Sequence, residues 1–275
     1  MNALAARLRQ LRTESGRSRL SDAATPKPAL APDVLRWIQA RSRMQGAAPR
    51  NPSSDRFVPG VEIASGLFFT EAIVDWGHPP ALIDTAFARW EGPVAPSRLL
   101  HFDTETTGLA GGTGTRAWMI GAADWLADGR FRLRQLTTTT MGAETAMLQT
   151  FAQWLQPDTV LVSYNGKCYD SPLLKTRFRL ARLPDPLSGL GHLDLLHPVR
   201  RHWKGRWENC RLATAERELL GVVREDDLPG SEAPAAWLAY LRGGSAHNLR
   251  RVLAHNAQDL KSLAGVLLHL ARLPH

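Results

Sequence analysis

The stretch LLHFDTETTGLAGGTGTRAWMIGAADW, Leu99 to Trp125, carries two signals that compete. Gly112, Gly114 and Ala117 spell the G-x-G-x-x-A of a dinucleotide-binding turn, while Asp103 and Glu105 place two carboxylates just upstream. A dinucleotide turn needs its glycines between a strand and a helix, so that the helix N-terminus meets the pyrophosphate. Here Gly112 stands well past the strand that ends around Thr104, and the residues after it alternate like a strand and turn at Asp128-Gly129. The glycines therefore belong to a turn between antiparallel strands. YNGKCYD, residues 164–170, fails as a P-loop, because Leu161 stands where the first glycine belongs and Cys168 replaces Ser or Thr. The carboxylates are the stronger signal. Two apart on a strand, Asp103 and Glu105 face the same side, and such a pair repels unless a cation lies between them. Hard divalent ions such as Mg²⁺ take oxygen ligands of this kind. By itself, D-x-E also describes an ordinary solvated strand end.

Around this strand the chain reads as an α/β domain over residues 97–273. RLLHFDTE is a short apolar run ending in carboxylates, as in a buried central strand. TRAWMIGAADWLADGRFRLRQLTTTT holds two alternating segments about Asp128-Gly129, a hairpin signal. AETAMLQTFAQWLQ has helical spacing, TVLVSYNG is a buried strand, and DSPLLKTRFRLARL is a second helix. Beyond a loop rich in Pro and Gly the remainder reads as helices, ending in AHNLRRVLAHNAQDLKSLAGVLLHLARL. This order predicts a mixed sheet flanked by helices. Residues 56–96 read as a small N-terminal extension packing on the core, with a mixed period and no assignable chemistry. Residues 1–55 read as a flexible basic arm, punctuated by prolines. Its opening, MNALAARLRQLRTESGRSRLSD, has the Arg-rich, acid-poor look of a mitochondrial presequence, but a short surface helix with a flexible tail is the plainer reading.

The 275 residues carry a net charge of +8, which favours polyanionic partners, nucleic acid first and an anionic membrane surface second. No apolar run approaches the ~20 residues of a membrane span. The two cysteines, Cys168 and Cys210, form no C-x-x-C pair and fit a reducing cytosol. Cys168 reads as a small packed side chain, since no charge partner for it is evident.

Two further segments strengthen the carboxylate signal. Asp170 follows the buried strand and the Asn165-Gly166 loop and opens the next helix, a position that a helix N-cap would equally occupy. His255 and Asp259 lie four apart on the flank of an apolar helical stripe, as a surface His–Asp pair also would.

FDTETTGL, YNGKCYD and HNAQD, in this order, resemble the three motifs of the DEDD superfamily of 3′–5′ exonucleases. FDTETTGLAGGTGT, YNGK-x-x-D-x-PLLKTRF, HLDLLHPVRR, LATAERELLGV-x-REDDLPG and HNAQDLKSL are similar, more closely, to the YprB-type ribonuclease-H-like family. The resemblance runs from about Leu99 to Leu270 and leaves out the N-terminal arm. It implies a ribonuclease-H-like fold and a metal site of Asp103, Glu105, Asp170 and Asp259 holding two Mg²⁺ or Mn²⁺ ions, with Asp103 bridging them. His255 is then the general base. The histidine subgroup of that superfamily has five positions from His to Asp, whereas His255 and Asp259 show the four of the tyrosine subgroup.

The activity so implied is a 3′–5′ exonuclease acting on DNA, in DNA repair beside a helicase, in a bacterial cytoplasm. An RNA exonuclease and a catalytically silent nucleic-acid-binding module are the alternatives, and the presence of all four carboxylates argues against the second. In LLHPVRRHWKGRWENCR, Arg200, Arg201 and Trp203 mix cations and aromatics as a contact with phosphates and unstacked bases requires. A solvated basic face with its tryptophans tucked into the core gives the same pattern. Thr106, Asn165 and Lys167, inside the first two motifs, are further substrate contacts. Asp194 reads as a strand- or helix-end residue in preference to an accessory carboxylate.

Overall fold

The computed structural model describes residues 53–76, 79–108, 113–225 and 227–274. The greater part of the expected arm, residues 1–52, lies outside these, as does Gly112. Among the described residues, seven strands form one sheet: β1 (Val61–Ala64), β2 (Leu67–Val74), β3 (Leu99–Thr106), β4 (Ala117–Trp125), β5 (Phe131–Thr138), β6 (Val160–Ser163) and β7 (Gly191–Asp194), in the order β1-β2-β5-β4-β3-β6-β7. The helices are α1 (Glu144–Ala152), α2 (Asp170–Leu180), α3 (Leu196–Trp203), α4 (Leu212–Ala215, extended by a π turn over Glu216–Leu220), α5 (Ala233–Leu241) and α6 (His247–Leu270). β6 runs parallel to both β3 and β7, and the other pairings are antiparallel. The expected mixed sheet flanked by helices is therefore present, in the ribonuclease-H-like arrangement.

β3 and β4 are joined as antiparallel neighbours, which disposes of the dinucleotide turn. Gly129, at φ 83°, closes the β4–β5 hairpin where Asp128-Gly129 signalled it. Two regions add strands that periodicity does not reveal. β2 pairs with β5 along its whole length, Leu67 with Thr138 through Val74 with Phe131, yet Leu67 is its one fully buried residue, so no clean alternation marks it. β7 is four residues long, too short to show a period, and the expectation of helices alone after the Pro- and Gly-rich loop is corrected there.

β3 divides its side chains between two cores. Leu100 and Phe102 face α1 and α2, where they meet Met147, Phe151, Leu174 and Phe178. Leu99 faces the other side, joining Val160 and Val162 against Leu260, Leu263 and Leu267 of α6. Farther along that side Trp118 stacks on Trp237 of α5, ring centroids 5.8 Å apart, and the Trp237 indole donates to the Thr138 carbonyl at 2.7 Å. Residues 53–56 are pinned to the α5–α6 turn: Asp55 pairs with Arg250 at 2.8 Å, and the Arg56 guanidinium lies 3.5 Å over the Tyr240 ring. Because β3 and β6 are parallel, their C-terminal ends reach the same rim of the sheet. Asp103, Glu105, Asp170 and Asp259 gather at that rim.

Candidate active site

Alternation along β3 sends Asp103 and Glu105 to the α6 face and Thr104 to the opposite one. Asn256, fully buried on α6, donates its side-chain N–H to Asp103 Oδ2 at 2.9 Å and accepts from Gln135 Nε2 at 2.9 Å. Gln135 also donates to the Leu253 carbonyl at 2.8 Å, so the Asp103 carboxylate is tied through Asn256 to both β5 and α6.

Asp170 arrives from the other face. It is the first residue of α2, but its side chain makes no cap to its own helix, so the N-cap reading is corrected. Its Oδ1 instead accepts from both the hydroxyl and the backbone N–H of Thr104, the latter at 3.2 Å. The loop before it is held by Asp194, the last residue of β7, whose carboxylate accepts the backbone N–H groups of Asn165 (2.7 Å) and Lys167 (3.0 Å). Asn165 sits at φ 68°, in the left-handed region that Asn tolerates. Asp194 thus serves as the strand-end residue the sequence indicated.

On α6, the four-residue spacing brings His255 Nε2 to 3.4 Å from Asp259 Oδ2. The loop after α4 adds a residue that sequence reasoning overlooked. The Arg224 guanidinium donates to Glu216 at 2.7 Å and to Asp259 Oδ1, and its Nη1 lies 3.1 Å from His255 Nδ1 and 3.4 Å from Asp227. Glu216 is fully buried and also accepts from Gln258 and Ser262, each at 2.8 Å. Asp227 Oδ1 lies 2.7 Å from His255 Nδ1.

The electrostatics are those of crowded, desolvated acids. Burial, then the charges of Asp259, Asp170 and Glu105, hold the Asp103 carboxyl well above the usual carboxylate range. Glu105 is raised likewise by burial and by Asp259, Asp170 and Asp227. Burial lifts Asp170 to about 6 against the pull of its Thr104 hydrogen bonds. Asp259 is raised by burial, with His255 and Arg224 working the other way. Two cavities flank the end of β3 and share Asp103, Thr104, Thr106 and Gly108. One, about 430 Å³, continues to Tyr164, Asn165, Tyr169 and Asp170; the other, about 450 Å³, continues to Glu105, His255 and Asp259. Four oxygen-donor acids that repel one another suit a hard divalent cation. Among the described residues, no three His, Cys, Asp or Glu side chains stand close enough to form a ready-made cation cluster. Asp170 is instead bonded to Thr104, and Asp259 to Arg224.

The remaining sequence candidates divide. Thr106 lines both cavities, its hydroxyl donating to the Gly108 carbonyl at 3.0 Å, and Asn165 lines the one on the Asp170 side. Lys167 is exposed on the same loop, and Arg200 is exposed on α3. Arg201 and Trp203 make their contacts elsewhere. Arg201 donates to the Phe87 carbonyl, and Trp203 stacks on Trp207 at 4.7 Å with its ring 6.1 Å from that of His269. His269 stands about 15 Å along α6 from Asp259, at 1.5 Å per helical residue. Cys168, expected to be packed, is exposed, because its loop is held by backbone contacts to Asp194. Tyr169, 56% exposed beside Asp170, is an aromatic at the cavity mouth that the sequence reading passed over, although it lies inside YNGKCYD. Asn256 and the Arg224–Asp227 pair likewise stand inside HNAQD and REDDLPG.

A family model described as the RNase_H superfamily matches residues 100–271. A curated relative, "Uncharacterized protein YprB" of Bacillus subtilis (strain 168), is 39% identical over 178 residues, covering 64% of this chain and 42% of its own length. The resemblance read from the motifs is thereby borne out, and the chain spans less than half of that relative. Among solved structures, E. coli Exonuclease I in complex with a dT13 oligonucleotide aligns with a TM-score of 0.38 at 16% identity, over 57% of this chain and 43% of that one. The same enzyme with a dA16 oligonucleotide gives 0.36 at 16% identity, over 60% and 45%. No helix among the described residues is long and apolar enough to cross a membrane.

Proposed function

The chain belongs to the RNase_H superfamily, and we propose that it is a divalent-metal-dependent nuclease that removes nucleotides from the 3′ end of DNA. The observation that carries this reading is the burial of Asp103, Glu105, Asp170 and Asp259 at one rim of the sheet, each carboxyl raised by desolvation and those of Asp103 and Glu105 further by the neighbouring acids. Membership of the superfamily supports a nuclease, and the net charge of +8 supports a polyanionic substrate. Asp103 and Glu105 from β3, Asp170 from α2 and Asp259 from α6 are the groups that would hold Mg²⁺ or Mn²⁺. Two such ions, when bound, supply positive charge for both the attacking water and the leaving 3′ oxygen.

The protein's own groups do the rest. His255 Nε2, beside Asp259, accepts a proton from the attacking water. Asn256 keeps the Asp103 carboxylate turned to its place. Thr106, Asn165 and Tyr169 line the walls against which a terminal nucleotide is oriented, with Lys167 at the edge for phosphate. A role in DNA repair, a helicase partner and a cytoplasmic setting are proposed with this reading, on the strength of the family resemblance.

Arg224 favours one second reading. Its guanidinium already neutralises Asp259, as it would in a module that binds nucleic acid without cutting it. A time course on 3′- and 5′-labelled single- and double-stranded DNA and RNA, in Mg²⁺, Mn²⁺ or EDTA, separates the two. Metal-dependent release of the 3′ label supports the exonuclease. Preference for RNA substrates shifts the substrate class. Binding that is equal with and without metal, and no cleavage, establishes the binding module.

A further inference from the structure

His255 has four residues to Asp259, and a ring at that spacing reaches the site with either nitrogen depending on its side-chain rotation and tautomer. In this structure Nε2 faces Asp259 at 3.4 Å, and Nδ1 faces away from the carboxylates, toward the loop after α4. Two groups meet Nδ1 there: Asp227 Oδ1 at 2.7 Å and Arg224 Nη1 at 3.1 Å. Arginine can only donate and an ionised carboxylate can only accept. A bare Nδ1 lone pair 2.7 Å from a carboxylate oxygen would be repulsive, so the shorter contact requires the proton on Nδ1. With Nδ1 engaged by Asp227, Nε2 is the nitrogen turned to Asp259 and to the cavity that also contains Asp103 and Glu105. Asp227 is itself fixed: Arg224 reaches its Oδ2 at 3.4 Å and is anchored in turn on buried Glu216.

We propose that Asp227 is a positioning residue for His255, holding the ring and its Nδ1–H tautomer so that Nε2 is the proton acceptor in hydrolysis. The role rests on the nuclease reading above. Asp227 touches the ring at Nδ1, the nitrogen turned away from Asp259, and its charge also reaches Glu105. It also explains how a histidine one turn from Asp259 serves as the base: the loop REDDLPG, not the helix spacing, decides which nitrogen is presented.

The test uses the full chain labelled with ¹⁵N-histidine in mildly alkaline buffer, the His255 signals being assigned by their loss in His255→Gln. Wild type is expected to show a protonated Nδ1 and an unprotonated Nε2, and Asp227→Asn to lose that tautomer preference. In Mg²⁺ or Mn²⁺, Asp227→Asn is expected to lower kcat by about 10²- to 10⁴-fold, the range that a misoriented general base costs, with KM for a single-stranded oligonucleotide unchanged. An Nε2–H tautomer in wild type, or an unchanged kcat in a folded Asp227→Asn, overturns the proposal, as does a rise in KM alone. Should Asp227→Asn not fold, the wild-type tautomer and Asp227→Glu, expected to retain part of the activity, decide. A wild type that cleaves nothing under any metal removes the nuclease reading and with it the catalytic role, whereas the spectra separately show whether Asp227 sets the tautomer.

Discussion

Asn256 fills the space in which Gly121 would carry a side chain. The two stand on α6 and β4, and a Cβ built on Gly121 would overlap the Asn256 side-chain oxygen. Gly121 is the strand partner of Asp103, so the glycine lets a polar side chain reach across the sheet to the very carboxylate beside it. Gly121→Ala is expected to displace Asn256 and leave buried polar groups unpaired, at about 1–3 kcal/mol. The double variant with Asn256→Ala should be no less stable than Asn256→Ala alone, the coupling that a double-mutant cycle reads in denaturant melts. Simple additivity would show that the two do not share this space.

Asp103→Asn is expected to abolish hydrolysis while stabilising the metal-free chain. The Asp103 carboxyl is raised in the folded state, so the folded chain holds this proton more tightly than the unfolded one. Its favourable contribution is complete below the unfolded value near 3.8 and is lost as pH rises through the raised folded value. In EDTA the variant's advantage in Tm should therefore be small at acid pH and grow toward pH ~8, by about 2–4 °C per kcal/mol for a domain of this size. Melts of both proteins across that range check it; a variant less stable than wild type at every pH would refute it.

Arg224 is the cation that buried Glu216 and Asp259 now share. Arg224→Ala removes the guanidinium from both, leaving Glu216 only its Gln258 and Ser262 donors and Asp259 only His255, and is expected to cost about 3–5 kcal/mol in EDTA. Mg²⁺ or Mn²⁺ should restore part of the lost Tm in the variant, because the cation takes over at Asp259. A metal-independent deficit would mean that the guanidinium and the cation do not compete there.

The two aromatic readings, exposed Tyr169 and half-buried Trp203, are separable by binding. Tyr169→Ala is expected to weaken single-stranded oligonucleotide binding by about 1–3 kcal/mol, the worth of one stacked base. Trp203→Ala should leave affinity unchanged and lower Tm, since its face is already spent on Trp207. Fluorescence anisotropy beside thermal melts decides, and the reverse pattern would return the contact to α3.

His101 sits fully buried between Trp125 and Phe131, ring centroids 4.9 and 5.6 Å away. Burial lowers it to about 4, so the folded chain favours the neutral ring. That contribution is present above the unfolded value near 6.5 and is lost as pH falls toward 4. His101→Phe should flatten the acid side of the Tm profile relative to wild type; parallel profiles would contradict this.

How much of this was legible in the sequence depends on where each signal lives. β3 announced itself because its apolar run ends abruptly in carboxylates, and the β4–β5 hairpin because Asp128-Gly129 interrupts two alternating runs. β2 stayed hidden because its burial does not alternate: Leu67 is buried, and the residues after it run from half-buried to exposed. Asn256 looks, in one dimension, like any polar residue on a helix flank, and only the missing side chain at Gly121, far away in sequence, reveals it. Arg224 lies in a loop without period, and its partners come from the π turn, α6 and its own loop. For Trp203 and Arg201 the sequence leaves two readings open. A basic, aromatic helix has the same spelling whether its rings stack on bases or on one another.

The sheet's outermost strands, β1 and β7, are each four residues long, and β1 slips register between Glu62 and Ala64. Unpaired backbone at a sheet edge is a template on which other extended chains add, and length and flatness decide how good a template it is. β3, β4 and β5 have a strand on either side, whereas β1 pairs with β2 only as far as Phe69, and among the described residues no strand pairs with the outward edge of Thr70–Val74. Val61 and Ile63 are exposed on β1, apolar enough to invite a neighbour. The short, bent β1 and β7 make poor continuations of the sheet, and the outer edge of β2 beyond Phe69 is the longer template for another extended chain.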